Sequence, residues 1–375
     1  MRKLMNSVQN QVTNSVKALV RFALWCYFKR ITLIGFSKEN HAKPVIYLGN
    51  HQNALIDALL IATTTRRKTT FLTRSDVFKN PLIGRLLRYI GMLPIYRFRD
   101  GVDTLSKNTP IFNRCGEILH DHEAILIFPE GNHGLKRRVR PLKKGFISLL
   151  THRWSRDKQP VYLSPIGVNY KNAVRFPDCA TLVYGKAFQV NPFEPTPDSI
   201  QSLLNQLHQQ LSVLTTHIPE SLEVYYDQIE AGLEKGGQLF LNPIKANDII
   251  AQFERALHID PSGVAANDIW LKVNSEKSIS FFQKACSVIS KFLFECLNIV
   301  PISIWRLFLK PGIKQPEFVS TARFGFSLLF FPAYFLLLFI LIAVFSKNLG
   351  MALAIPMIHF ILNIIFVKKY ANPLH

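Results

Sequence analysis

Two long uncharged stretches near the end of the chain constrain its fold more than any other feature. The first is Phe324–Phe345, the second is Leu349–Val367, and only a Ser-Lys-Asn turn separates them. A helix needs about 20 apolar residues to cross the roughly 30 Å hydrocarbon layer of a bilayer. Both stretches have about that length, which predicts a transmembrane helical hairpin at residues 324–345 and 349–367. The alternative, two buried helices of a soluble domain, is disfavoured because adjacent uncharged runs of this length seldom occur there.

Basic residues lie on the side of this hairpin where both of its ends emerge. They are Arg306, Lys310, Lys314 and Arg323 before it, and Lys368 and Lys369 after it. Lysine and arginine near membrane helices remain on the cytoplasmic side. We therefore expect an integral membrane protein whose main domain lies at the cytoplasmic face.

Polar residues also occur within the second apolar stretch, where His359 and Asn363 are one helical turn apart. Polar groups at membrane depth can mark a functional site. A hydrogen bond to the other helix of the hairpin is the simpler interpretation, and the one we favour.

The charge of the chain points to an anionic partner. Its 45 Lys+Arg and 25 Asp+Glu give a net charge of +20, and residues 61–160 supply more than half of that excess. Such a balance favours nucleic acid, an anionic bilayer surface or phosphorylated substrates. The five cysteines are widely spaced without a CxxC pair, so neither a metal site nor a disulfide framework is predicted.

Short apolar strand patterns alternate with helical patterns in the middle of the chain, which indicates an α/β domain with a largely parallel sheet flanked by helices. The predicted organisation is an N-terminal interfacial helix (1–39), the α/β domain (40–225), a helical and partly interfacial region (226–312) and the transmembrane hairpin (313–375). Residues 16–36 and 292–309 are apolar but carry charges. They fit helices that span the membrane, lie on it, or pack on the protein's own core.

The first motif whose residue types suit catalysis is a histidine and an aspartate directly after the strand pattern VIYL. His51 and Asp57 are six residues apart, which is not a same-face spacing on a helix, so His51 is predicted to lie on the loop. Asn53 is a predicted N-cap, and Asp57 would then point back from the second turn of the helix. A histidine oriented by a carboxylate can act as a general base near neutral pH.

Three further motifs follow at intervals of roughly forty residues. Arg97 ends the run GMLPIYR, Glu130 and Gly131 end FPEG, and Pro165 interrupts the strand LSPIG. Arginine suits phosphate because its planar guanidinium makes paired hydrogen bonds. A dense basic segment comes after FPEG and comprises Lys136, Arg137, Arg138, Arg140, Lys143 and Lys144. It predicts an anion site. No zinc-finger, helix-turn-helix or aromatic RNA-binding pattern accompanies it, so no nucleic acid partner is expected.

The ordered series NHxxxxxD, GxLPIxR, FPEG and a Pro-Ile strand, over about residues 40–190, resembles the glycerophospholipid acyltransferase superfamily, the PlsC-like group. The spacing between His51 and Asp57 is one residue longer than the commoner gap of that group. It is similar instead to fungal-type glycerol-3-phosphate and dihydroxyacetone-phosphate acyltransferases and their bacterial relatives. The sequence PEFVSTARFGFSLLFFP before the hairpin resembles that subgroup too.

This resemblance implies a membrane-bound acyltransferase of phospholipid biosynthesis that uses acyl-CoA or acyl-ACP as co-substrate and no cofactor. His51 would be the general base and Asp57 its partner. The substrate-binding residues would be Asn50, Arg97, Glu130, Gly131 and Pro165. Because Asn132-His133 replaces the family's frequent Thr-Arg or Thr-Ser after FPEG, Arg137, Arg138 and Lys144 become candidates to complete the phosphate site.

Glycerol 3-phosphate or a related glycerol phosphate is the acceptor that the spacing favours. Lysophosphatidate is the alternative, and a thioester-independent lipid transacylase is a more distant one. A different class also remains open, a non-catalytic membrane protein that binds anionic lipid through its basic segment.

Overall fold

The computed structural model describes residues 2–35, 43–65, 67–97, 102–237, 239–260, 268–271, 273 and 281–370. The strands are β1 (Arg30–Ile34), β2 (Val45–Gly49), β3 (Thr69–Arg74), β4 (Met92–Ile95), β5 (Ala124–Ile127), β6 (Val161–Tyr170), β7 (Cys179–Tyr184) and β8 (Phe188–Val190). The helices used below are α1 (Arg2–Tyr27), α2 (Ala54–Thr64), α3 (Pro81–Tyr89), α4 (Asn108–His120), α5 (Gly145–Trp154), α6 (Pro197–Leu214), α7 (Tyr226–Lys235), α8 (Pro243–Ile259), α9 (Phe281–Leu297), α10 (Ile299–Ile304), α11 (Val319–Ser346) and α12 (Leu349–Ile365).

One mixed sheet organises the domain, with the strand order β1-β7-β6-β2-β5-β3-β4 and with β8 beside β6. All of its strand pairs are parallel except β6 with β7 and β6 with β8. Strands β2 and β5 lie in the middle, and each of their residues is buried. Continuous apolar runs such as VIYL and AILI are typical of parallel strands covered on both faces. The predicted α/β fold with a largely parallel sheet is confirmed.

Helices cover both faces of the sheet. On one face Leu24 of α1, Phe28 directly after α1 and Leu60 of α2 belong to a cluster that includes Tyr170 of β6. On the other face α4, α5 and α6 build a second cluster. A third, separate cluster joins α7 and α8 to Trp270, so this part of the predicted 226–312 region has a small helical core of its own.

The first strand corrects one expectation from the sequence. Residues 16–36 were expected to form one helix, but α1 ends at Tyr27 and β1 begins at Arg30. Strand β1 pairs with β7 in parallel, from Arg30 opposite Cys179 to Ile34 opposite Val183. The β-branched residues of RITLI suit a strand. The sheet therefore begins before residue 40.

The hairpin consists of two helices that are long and apolar enough to cross a membrane, Pro316–Ser346 and Leu349–Lys369. Lys347 adopts a left-handed conformation (φ 51°) after α11, and the Asn348 side chain accepts a hydrogen bond from the Met351 amide. A left-handed residue and an asparagine N-cap explain how two residues turn the chain around. Before the hairpin, α9 and α10 are separated by an 85° bend.

Candidate functional site

The site lies where the four neighbouring parallel strands β2, β5, β3 and β4 end. We call this the strand-end edge. His51 follows β2, Glu130 follows β5, Arg74 ends β3 and Arg97 follows β4. Ligands of open parallel sheets bind beyond the carboxyl ends of the strands. The sheet thus aligns a histidine, a carboxylate and two arginines along one edge.

His51 and Asp57 contact each other as their spacing predicts. His51 Nδ1 lies 2.8 Å from Asp57 Oδ2, with the Asp57 side chain fully buried and the His51 side chain 15% exposed. The buried hydroxyl of Tyr170 donates to Asp57 Oδ1 at 2.6 Å. No described residue hydrogen-bonds to His51 Nε2, which is the nitrogen left for a substrate. Tyr170, at the end of β6, is a site residue that sequence analysis did not identify.

The carboxylate of Asp57 also organises the start of α2. The amides of Gln52 and Asn53 donate to Asp57 Oδ2 at 2.8 and 2.7 Å. Asn53 is the N-cap residue, as predicted, but its side chain makes no capping hydrogen bond. Asp57, in the first turn of the helix, accepts from these backbone amides in its place. Negative charge at a helix N-terminus is stabilising. Ala54 has φ 38°, a left-handed conformation uncommon for alanine, directly beside this pair.

Glu130 and Arg140 hold the backbone of His51 from the other side. The Glu130 carboxylate accepts from the His51 amide at 3.2 Å and from Arg140 Nε at 2.5 Å. Arg140 Nη2 in turn donates to the His51 carbonyl at 3.0 Å. Burial raises the pKa of Glu130 to about 7, against the opposing influence of Arg140. Gly131 has φ 76°, which a glycine adopts at little cost, and this turns the chain away after Glu130.

Aromatic rings surround the imidazole of His51. Phe128 stacks on it with ring centroids 4.0 Å apart, and His133 approaches edge-on at 5.5 Å. The far side of His133 contacts the ring of Phe318 at 4.6 Å. Burial is the main effect that lowers the pKa of His133. His133 thus forms a wall of the site and is not a strong phosphate-binding cation at neutral pH.

The segment before the apolar hairpin contacts the loop between His51 and α2 directly. The Leu55 amide, in the first turn of α2, donates to Thr321 Oγ1 at 3.2 Å. The Ser320 hydroxyl donates to the Ala173 carbonyl at 2.6 Å, and the Asn53 side chain donates to the same oxygen at 3.0 Å. Phe318, Ser320 and Thr321 are therefore structural members of the site, although they are more than 260 residues from His51.

Arg97 is half-buried at the end of β4, and a buried asparagine fixes the residue before it. Asn108 accepts from the Tyr96 amide at 2.9 Å and donates to the Tyr96 carbonyl at 2.8 Å. On the adjacent strand Arg74, opposite Ile95 in the register, pairs with Asp76. Neither Asn108 nor Arg74 was predicted, although Arg74 comes directly after the strand pattern TFLT at residues 70–73.

Asn50 and Pro165 support the end of β2. The Asn50 amide accepts from Val168 N at 2.7 Å and donates to the Val168 carbonyl at 3.0 Å, so its side chain binds β6 and does not project toward the site. Pro165 lies between the segments of β6 that pair with β8 and with β7. A proline is tolerated at such a gap because no ladder hydrogen bond is required there.

Three predicted phosphate-site residues are not brought to His51. The buried Arg137 donates to the carbonyls of Tyr170 and Lys171, and Arg138 donates to those of Ile218 and Pro219. Lys144 is exposed at the N-cap of α5. Arginines in an irregular loop satisfy carbonyl groups that no ladder satisfies, and this explains why Arg137 and Arg138 are unavailable. Arg140 is the member of the basic segment that reaches the site.

The comparisons with known proteins agree with this geometry. A family model described as Acyltransferase matches residues 30–169. This range contains the strand-end edge, His51, Asp57 and Glu130. Residues 30–169 thus match the Acyltransferase family, in agreement with the predicted resemblance to the glycerophospholipid acyltransferase superfamily.

Curated relatives of the acyltransferase domain are named for one reaction. The chloroplastic 1-acyl-sn-glycerol-3-phosphate acyltransferase of Brassica napus is 30% identical over 108 residues, which are 28% of this chain and 29% of that protein. The 1-acyl-sn-glycerol-3-phosphate acyltransferase of Chlamydomonas reinhardtii is 31% identical over 32% of this chain and 35% of that protein. The chain thus spans about a third of the length of these curated relatives. The crystal structure of the 1-acyl-sn-glycerophosphate acyltransferase PlsC from Thermotoga maritima is 16% identical, with a TM-score of 0.41 over 55% of this chain and 80% of that one.

Proposed function

We propose that the protein is a membrane-bound O-acyltransferase that transfers an acyl chain from a thioester to the free hydroxyl of 1-acyl-glycerol 3-phosphate. The observation that carries this proposal is the His51–Asp57 pair in a matched acyltransferase domain, with Nδ1 bonded at 2.8 Å and Nε2 open. A bonded Nδ1 leaves Nε2 as the nitrogen that exchanges protons.

The proposed mechanism is direct transfer. His51 Nε2 takes the proton of the acceptor hydroxyl, and the alkoxide attacks the carbonyl carbon of the thioester. The tetrahedral intermediate then collapses with cleavage of the carbon–sulfur bond, and the imidazolium returns the proton to the departing thiolate. Asp57 stabilises the imidazolium in between, as the carboxylate of a serine-protease triad does. No covalent acyl-enzyme is needed, because His51 contacts neither a serine nor a cysteine among the described residues.

The names of the curated relatives support lysophosphatidate as the acceptor over glycerol 3-phosphate, the acceptor that the motif spacing favours. A one-chain lipid also suits a site joined to a membrane hairpin, since acceptor and product both partition into the bilayer. Glycerol 3-phosphate remains the second candidate on the strength of the six-residue spacing of His51 and Asp57.

We infer that Arg97 binds the phosphate of the acceptor, with Arg74 beside it on the adjacent strand. Paired arginines at strand ends suit a phosphate monoester, which accepts several charge-assisted hydrogen bonds. Lys143 and Lys144, exposed next to the Gly131 turn, are available for phosphates of an acyl-CoA donor.

The assay offers a radiolabelled acyl donor with lysophosphatidate, glycerol 3-phosphate or dihydroxyacetone phosphate to the full chain in vesicles and separates the products by chromatography. We expect labelled phosphatidate from lysophosphatidate and no transfer by His51→Ala. Label in lysophosphatidate alone would make glycerol 3-phosphate the acceptor. Normal turnover by His51→Ala would refute the mechanism.

Arg97→Gln tests the phosphate assignment. Loss of a charged hydrogen-bond donor costs about 1.5–3 kcal/mol, so the KM for lysophosphatidate should rise roughly tenfold to a hundredfold. The kcat should change little, because the contact is made equally in the ground state and the transition state. Lys158→Gln, an exposed charge change near the start of β6, is the matched control. An unchanged KM in Arg97→Gln would exclude the assignment.

A further inference from the structure

Three polar side chains form a cluster between the α9–α10 bend and the second hairpin helix. Asn298, which lies at the bend, donates to Asn363 Oδ1 at 2.7 Å and accepts from Asn363 Nδ2 at 3.1 Å. His359 Nε2 lies 3.3 Å from Asn298 Oδ1. Asn298 is fully buried. The sequence predicted a bond from His359 and Asn363 to the other hairpin helix, and this partner is wrong.

The position of the cluster along α12 gives its depth. Lys368 follows α12 and donates to the carbonyls of Trp25 and Phe28, at the end of α1, so it marks the level of the sheet domain. Asn363 and His359 precede Lys368 by five and nine residues. At a rise of 1.5 Å per residue, they lie about 7 and 14 Å further along the helix axis. Asn298 bonds to both and is therefore at a similar depth.

Both limbs of the bend return to the domain side. On α9, the ring of Phe294 stacks on Phe366 at 4.1 Å and lies 6.4 Å from Phe176 of the sheet domain. Beyond α10, the ring of Trp305 lies 5.4 Å from the Arg323 guanidinium, which itself lies 5.9 Å from the same Phe176 ring. Phe294, four residues before Asn298, and Trp305, seven residues after it, are therefore both near Phe176, whereas a segment that spans the membrane moves steadily away from one face.

The outer surface of the bend is apolar and lacks a protein partner among the described residues. The exposed side chains on it are Phe292, Leu293, Ile299, Val300, Leu307 and Phe308, and that of Phe308 is 74% exposed. Two charged residues in this segment left its relation to the membrane open in the sequence. They form an ion pair, since Arg306 bonds to Glu295 at 2.7 Å across the bend. Paired charges are the form in which such groups are tolerated at a membrane.

We propose that the α9–α10 bend is a re-entrant wedge that inserts into the leaflet nearest the sheet domain, with lipid acyl chains as its partner. The amides of Asn298 and Asn363 satisfy each other at that depth, which apolar surroundings require. This proposal rests on insertion of α11 and α12 and not on the acyl transfer reaction.

A depth measurement tests the wedge. Single nitroxide labels are attached to the full chain in phosphatidylcholine vesicles with about one fifth phosphatidylglycerol, and their collisions with oxygen and with a water-soluble nickel chelate are compared. Val300→Cys reports the bend, Leu362→Cys the hairpin and Val213→Cys, exposed on α6, the aqueous domain. We expect a depth of about 10 Å for the label at 300, near that at 362. A shallow label at 300 beside a deep one at 362 overturns the wedge, and shallow labels at both overturn its premise.

The membrane face at which the two limbs of the bend are accessible distinguishes a wedge from a membrane-spanning segment. Lys291→Cys and Lys310→Cys, on the two limbs, should react with a membrane-impermeant maleimide from the same face of sealed vesicles. Reaction from opposite faces would make this segment a transmembrane helix and contradict the proposal.

The native chain offers a control that needs no substitution within the wedge. Cys296 is exposed on α9 two residues before the bend. It should react with the impermeant maleimide at least tenfold more slowly in vesicles than after SDS treatment, whereas Val224→Cys, at a highly exposed aqueous position, should react rapidly in both. Equal rates for Cys296 and Val224→Cys in vesicles would contradict insertion.

Discussion

Two histidines in this molecule, His51 and His359, are both held by buried hydrogen-bond partners, yet their surroundings differ in chemistry. His51 Nδ1 contacts a carboxylate that also accepts from two amides and a tyrosine hydroxyl. Among the described residues, His359 makes its hydrogen bond to the neutral amide of Asn298 and its ring contacts to Tyr334 and Phe335. A carboxylate stabilises an imidazolium, whereas an amide in apolar surroundings does not. Burial and hydrogen bonding are thus shared by both histidines, and the charge of the partner is what distinguishes the proposed base, His51, from His359.

Removing the negative charge of Asp57 should have the largest effect on kcat. Asp57→Asn keeps the size of the side chain but cannot stabilise the imidazolium, so kcat should fall by roughly 10⁴, as in serine-protease triads. The measurement is steady-state acyl transfer by vesicle-reconstituted protein, with thermal stability as the check on folding. His359→Gln is the matched control and should retain kcat within about twofold. Comparable losses in both variants would abolish the distinction between the two histidines.

Glu130→Gln should have an intermediate effect, because it removes the charge that orients Arg140 against the His51 carbonyl. Loss of this charge-assisted contact should lower kcat roughly tenfold to a hundredfold at pH 8. Burial raises the pKa of Glu130 to about 7, so below pH 6 the wild-type carboxyl is mostly protonated and resembles glutamine. The ratio of wild-type to variant kcat should therefore rise from within about twofold of one at pH 5, through pH 7, toward its plateau above pH 8. A ratio independent of pH would contradict this role.

The same raised pKa makes a stability prediction of the opposite sign. The folded chain holds the Glu130 proton more tightly than the unfolded chain, whose carboxyl has a pKa near 4.5. The contribution of Glu130 to stability is thus complete below about pH 4.5 and falls as the pH rises through about 7. The melting temperature should fall more between pH 5 and pH 8 for the wild type than for Glu130→Gln. An equal drop would show that ionised Glu130 is fully compensated by Arg140.

The smallest effect on catalysis is expected from the cluster of Asn298, His359 and Asn363. Asn363→Leu removes both of its hydrogen bonds to Asn298, and interhelical hydrogen bonds in membranes contribute about 1 kcal/mol. The melting temperature in detergent should fall by a few degrees, while kcat stays within about twofold. A loss of kcat as large as that of Asp57→Asn would mean that the cluster takes part in the reaction.

Features that depend on residues close together in the sequence could be predicted. His51 and Asp57 are six residues apart, and the alternating pattern around them determined the strand, the loop and the helix. It did not predict that Asp57 caps its own helix, since a cap at Asn53 satisfies the same sequence preferences. The hairpin likewise follows from two uninterrupted apolar runs.

Contacts across the fold could not be predicted in this way. Arg140 reaches the His51 carbonyl across 89 positions, and nothing in the basic segment distinguishes it from Arg137, which binds the end of β6. Asn298 lies 65 positions from Asn363. Charge counts treat every arginine as solvent-facing, whereas in this loop two of them are occupied by backbone carbonyls.

The hydrogen bond from the Leu55 amide to Thr321 has a consequence for the modularity of the protein. A membrane anchor tethered by a flexible linker can be exchanged for another without regard to its sequence. Here the first turn of the apolar hairpin supplies a hydroxyl to the helix that carries Asp57, and Ser320 shares the Ala173 carbonyl with Asn53. A chimaera that takes its hairpin from another protein must therefore preserve hydroxyl side chains at positions 320 and 321, and a chain shortened before Pro316 loses part of the site together with its anchor.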